Sequence, residues 1–131
     1  MTTLTPDDLL AEAQRMLDEA SSATVAVWPR AVALLTRQAL EEALRSYWAE
    51  NAPGVERLNM RAQLTALRAY LSSADLARDV TFTWHALSRA THHHAYELDP
   101  TREELSSLVA SARRLVAAVD GERPAEGRDR T

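Results

Sequence analysis

The chain has no cysteine and no lysine, three glycines, five prolines and one phenylalanine in 131 residues. Without cysteine there are no disulfides and no thiolate metal ligands. Without long apolar runs, none near the roughly 20 residues of a membrane span, the chain is not expected to enter a bilayer. Phe, Tyr, Val and Ile are too few for a sheet-based fold. The N-terminus is acidic rather than basic-then-apolar, so it does not read as a signal peptide. These absences predict a soluble, cytoplasmic protein. All fifteen basic residues are arginine, which points to a GC-rich coding sequence rather than to a site. The formal net charge of -4 argues against a dedicated binder of long duplex DNA, which presents a strongly basic face. It leaves room for an enzyme that meets a few phosphates with local arginines.

What is abundant is alanine and leucine at helical spacing. The predicted fold is an all-α, up-and-down bundle of four to five helices. It would fill a single domain over residues 1–120, with a polar, disordered tail at 121–131. Thr5-Pro6-Asp7-Asp8 reads as a helix start, followed by Leu10, Ala13, Leu17 and Ala20, with Ser21-Ser22 closing the helix. A second helix should run from Trp28 or Pro29 to Glu50, before the Pro53-Gly54 turn. Its stripe of Trp28, Val32, Leu35, Ala39, Leu40, Ala43, Leu44 and Tyr47 covers half the circumference. A stripe so wide marks the central helix of a bundle, and it leaves Leu34 and Trp48 outside as a possible partner surface. A third helix, Asn59 to Leu71, packs through Met60, Leu64, Leu67 and Leu71. It carries Arg57, Arg61 and Arg68 on another face, either simply solvated or able to steer a phosphate backbone. A fourth helix should begin at Ser73–Asp75 and continue to Asp99-Pro100. Thr101-Arg102-Glu103-Glu104 is a capping box for a fifth, which Gly121 should stop.

The chemistry-bearing residues concentrate in the fourth helix, from Trp84 to Tyr96, where all four histidines lie. On a wheel of about 100° per residue, Leu76, Val80, Leu87 and Leu98 gather on one side. His85, Arg89, His92 and Tyr96 form a ridge on the other, with His93 at its edge. A solvated face normally mixes acids and bases; this one collects imidazoles, a guanidinium and a phenol. Histidine moves protons near neutral pH. Arginine offers fixed bidentate donors to phosphate oxygens, and tyrosine donates to phosphate or stacks on a base. Those groups suit a phosphodiester, and they also suit a helix–helix contact that keeps polar tips wet. A metal site fits less well. Consecutive histidines point about 100° apart on a helix, and no acid or second histidine completes an i, i+4 ligand pair with His92, His93 or His94. No cofactor is expected.

At these residues the chain resembles the HEPN superfamily, small all-α domains marked by an arginine followed a few residues on by a histidine. Arg89 and His94 have four residues between them, and Tyr96 follows as His-x-Tyr, the form of HEPN toxins paired with nucleotidyltransferase antitoxins. Asp99 sits where that subgroup often has an acid. The run R-Q-A-L-E-E-A-L from Arg37 to Leu44 is similar to the matching helix of such domains. The resemblance implies metal-independent RNA cleavage leaving a 2′,3′-cyclic phosphate, in a toxin–antitoxin or defence system. Arg89 and His94 of two subunits would form a composite homodimer site. It further implies Tyr96 as a target of nucleotide transfer and a nucleotidyltransferase or NTPase partner. His85, Ser88, His92, His93 and Tyr96 would be supporting or substrate-binding residues. Where the family usually carries a polar residue after the arginine, this chain has Ala90; Ser88, His92 or His93 would then supply that contact. In an unbroken helix Arg89 and His94 are about 140° apart, so the pairing requires the helix to distort or end near His93. Otherwise His92 or His93 takes the role. Ala90 keeps an alternative open, a non-catalytic HEPN-like module that binds a partner protein or nucleotide. A third reading is a dimer that buries the histidine ridge.

Overall fold

The computed structural model describes residues 4–20, 28–92 and 98–122. Among them the chain forms five α-helices: α1 (Pro6–Asp18), α2 (Trp28–Asn51), α3 (Met60–Tyr70), α4 (Ala74–Thr91) and α5 (Arg102–Gly121), with a 3₁₀ turn at Val55–Arg57. The described residues contain no strand, and the architecture is the all-α bundle that the alanine and leucine periodicity predicts.

Local chemistry sets most of the boundaries. The Thr5 side chain accepts from the Asp8 N–H while the Asp8 side chain accepts from the Thr5 N–H, a reciprocal capping box ahead of Pro6. Asn59 caps α3 through the Ala62 N–H, Ser73 caps α4 through the Leu76 N–H, and Thr101 caps α5 through the Glu104 N–H. At α5 only this half of the expected box forms among the described residues. Gly54, at φ 108, takes the left-handed conformation that opens the 3₁₀ turn. Gln63 secures that turn: its Nε2 donates to the Leu58 carbonyl at 2.8 Å. Gly121 does not stop α5 as expected; it is the last helical residue and Glu122 is the cap. Ser21 and Ser22 lie outside the described residues, and α1 ends at Asp18.

Helix α2 is central, packing on α1, α4 and α5. Two apolar clusters line it. One gathers Ala13 and Leu17 of α1, Val32 and Ala33 of α2, and Leu105 and Val109 of α5. The other gathers Leu40, Leu44 and Trp48 of α2 with Leu67 of α3, Val80 of α4 and Leu115 of α5. The late residues of α1 thus meet the early residues of α2 and α5. Helix α1 therefore runs antiparallel to both, and α4, whose Ala90 joins the first cluster, runs antiparallel to α2.

Trp48 corrects the sequence reading. It is fully buried rather than a partner surface, because α3 covers it: Trp48 meets Tyr70 edge to face at 5.3 Å and Tyr47 at 5.1 Å. Thr36 is also fully buried, its Oγ1 donating to the Val32 carbonyl at 2.7 Å, which is how a hydroxyl is tolerated in a core. On the exposed face of α1, Arg15 pairs with Glu12 and Glu19. The Arg15 hydrogen bond holds the Glu12 carboxyl below the ordinary range, so whatever this pair contributes is present above that range and lost as the pH falls. Full exposure keeps it small.

Candidate functional site

The polar ridge does not extend as one helix to Tyr96. Helix α4 ends at Thr91, and His92 is its cap, with φ -85 and ψ 134 in the extended region. The packed face of α4 runs through Val80, Thr83 and Leu87 to Ala90, one residue before the helix ends. Thr91 Oγ1 donates back to the Leu87 carbonyl at 2.8 Å, and the His92 N–H donates to the Ser88 carbonyl at 3.2 Å. Leu98, expected on the buried side of a continuing helix, is 98% exposed.

The structure places His85 and Arg89 on the outward face of α4, both exposed, with His92 exposed at the helix end. Arg89 forms no ion pair among the described residues and borders an open groove between α4 and α5. The groove is lined by Phe82, Ala86, His92, Leu98 and Asp99, with Glu104 at its α5 wall. Phe82 and Leu98 give it an exposed apolar rim, Phe82 being 68% exposed. His93, His94 and Tyr96, which carry the expected catalytic partner, a supporting contact and the modification target, lie outside the described residues.

Two residues near Arg89 face inward. The Ser88 Oγ is buried without a hydrogen-bond partner among the described residues. Ala90 packs against the cluster of Leu17, Val32 and Leu105. The absence of a polar residue after Arg89 therefore has a packing reason, and Ser88 is not positioned to replace it. Of the two expected substitutes that lie among the described residues, Ser88 and His92, His92 is the one in the groove lining beside Arg89.

A half-buried strut fixes this end of α4 to α2. Trp84 Nε1 donates to Glu41 Oε2 at 3.0 Å. Arg37 Nε lies 3.8 Å from the same oxygen, with Arg37 and Glu41 side chains 21% and 33% exposed. Trp84 also meets the His85 ring edge to face at 5.2 Å, so the strut backs the first histidine of the ridge. The Arg37–Glu41 pair was visible as an i, i+4 spacing, but its link to Trp84 spans 43 positions and has no local signal. Trp84→Phe should remove the donor and lower stability by about 1–2 kcal/mol in chemical denaturation; an unchanged midpoint would mean that the strut carries nothing.

Among the described residues, no group of three His, Asp or Glu side chains is placed to hold a metal ion, and no helix is long and apolar enough to cross a membrane. Fold and geometry together define a helical bundle that exposes Arg89 and His92 where its fourth helix ends. No protein-family model matches the chain, and no curated protein or solved structure shows significant similarity to it.

Proposed function

We propose that the chain is a HEPN-type, metal-independent endoribonuclease of a toxin–antitoxin or defence system, with Arg89 and His94 of two subunits forming a composite site. The observation that supports this reading is the end of α4 at Thr91. It removes the angular conflict that an unbroken helix would impose between the arginine and the histidine, and it leaves Arg89 exposed and unpaired by any described carboxylate. In the proposed reaction a histidine takes the proton of the RNA 2′-hydroxyl. The 2′-oxygen attacks phosphorus, the bond to the 5′-oxygen breaks, and the protonated histidine returns its proton to that oxygen as it leaves. The products are a 2′,3′-cyclic phosphate and a 5′-hydroxyl. Arg89 holds the non-bridging oxygens while their negative charge grows. Tyr96 remains the proposed target of nucleotide transfer from a nucleotidyltransferase partner.

The test is incubation of purified protein with single-stranded RNA in excess chelator, with the product ends identified by mass. Cleavage with cyclic phosphate ends is expected; intact RNA would overturn the catalytic reading. A second reading has its own support. Because Ala90 is a packing residue and Ser88 faces inward, fewer polar groups surround Arg89 than catalysis would use. A HEPN-like module binding a partner protein or nucleotide through Arg89 fits that arrangement, and it predicts binding that is lost in Arg89→Ala without any cleavage.

A further inference from the structure

Beside the ridge, on the side away from the α4–α5 groove, α3 and α4 enclose a small cleft of about 130 Å³. Its lining is Arg61, Leu64, Thr65 and Arg68 of α3 with Thr81 and His85 of α4. No carboxylate belongs to it, in a chain whose acids outnumber its basic residues by 19 to 15. Neither Arg61 nor Arg68 forms an ion pair among the described residues. Arg15, Arg37, Arg45 and Arg78 do sit against a glutamate or aspartate. What sets Arg61 and Arg68 apart from the other unpaired arginines is that both line one cleft with a histidine. The two hydroxyls do not compete as donors, because Thr65 Oγ1 donates to the Arg61 carbonyl and Thr81 Oγ1 to the Ala77 carbonyl. The remaining donors are two guanidinium groups and an imidazole, on two helices, facing one small volume. That set matches an anion with several oxygens.

The cleft is also placed in register with Arg89. His85 lines it, and Arg89 lies four positions on, about 40° round the helix and one turn further along it. Arg89 therefore sits on the crest between the cleft and the groove, so a strand crossing that crest would set neighbouring phosphates on His85 and on Arg89. We infer that Arg61, Arg68 and His85 hold a backbone phosphate of single-stranded RNA next to the one held by Arg89. This rests on the ribonuclease reading for the identity of the strand, and it assigns to α3 the part that positions that strand.

The experiment measures binding without cleavage. A fluorescein-labelled 2′-O-methyl RNA 12-mer, which has no free 2′-hydroxyl to react, is titrated with the full chain and followed by anisotropy at several salt concentrations. Arg61→Ala/Arg68→Ala should weaken binding at least tenfold and make the slope of log K against log salt shallower by about 0.7 for each phosphate no longer held. Arg113→Ala/Arg114→Ala, on exposed positions of α5, removes the same charge and should bind as the parent does. Circular dichroism melting of both variants verifies that they fold. Equal binding by parent and cleft variant, or equal weakening by the α5 control, would overturn the inference. So would a cleft that captures adenosine monophosphate but leaves the 12-mer unaffected, since the anion would then be a free nucleotide. The two readings separate cleanly. Cleavage with binding indifferent to Arg61 and Arg68 overturns the cleft alone, and cleft-dependent binding without cleavage overturns the nuclease alone.

Discussion

Trp48→Ala should lower the unfolding free energy by about 3–5 kcal/mol, the usual cost of deleting a large buried aromatic. Total stability for a domain of this kind is about 5–15 kcal/mol, so the change should appear as a large fall in the urea midpoint with little change in slope. The reasoning rests on what surrounds the side chain. Trp48 is fully buried, it packs edge to face on Tyr70 of α3, and it belongs to the cluster that also holds Leu67, Val80 and Leu115. Its removal would undermine α3 and α4 together. Trp48→Phe should cost much less than the lost volume suggests. The indole Nε1 is buried with no partner among the described residues, and phenylalanine removes that unsatisfied donor, a penalty of about 1–3 kcal/mol. An alanine variant that loses under about 1 kcal/mol would show that α3 does not cover the position as described.

The second large effect concerns chemistry rather than stability. On the ribonuclease reading, Arg89→Ala should reduce RNA cleavage by about 100-fold or more, as expected when a donor to a developing oxyanion is removed. The melting temperature should not move, because Arg89 is exposed and makes no ion pair among the described residues. Arg89→Lys keeps the charge but loses the planar fork, and should recover only part of the rate. Undiminished cleavage by a folded Arg89→Ala chain would remove this residue from the proposed mechanism. A parallel fall in melting temperature would instead assign Arg89 to the scaffold.

The sequence made the helices legible because their signals are local. Thr5-Pro6, Asn59, Ser73 and Thr101 each cap the helix that follows, and the stripe on α2 was broad enough to mark it as central. What escaped was whatever depends on neighbours distant in the chain. Trp48 lies at the edge of its stripe and is covered by a helix that no pattern within α2 reveals. The tie from the Glu122 carboxylate to the Ser72 N–H, at 2.6 Å, joins positions 50 apart. At the candidate site the residue types were legible and their directions were not. The wheel treated the stretch from Ser73–Asp75 to Asp99 as one helix, whereas α4 ends at Thr91 with His92 as its cap. Ala90, conspicuous in the motif as a departure, is an ordinary packing residue in the bundle.

The central position of α2 bears on cooperativity. Both apolar clusters draw on it, one near Val32 and Ala33 and the other from Ala39 to Trp48, and α4 meets it through Glu41 as well. Helices α1, α4 and α5 also pack on one another, but each has its largest contact with α2, so loss of α2 would weaken the support behind α4. A single cooperative unfolding transition is the expected behaviour for a small domain built this way. Arg89 and the cleft should then be lost together, so RNA binding and helical circular dichroism are expected to melt at one temperature.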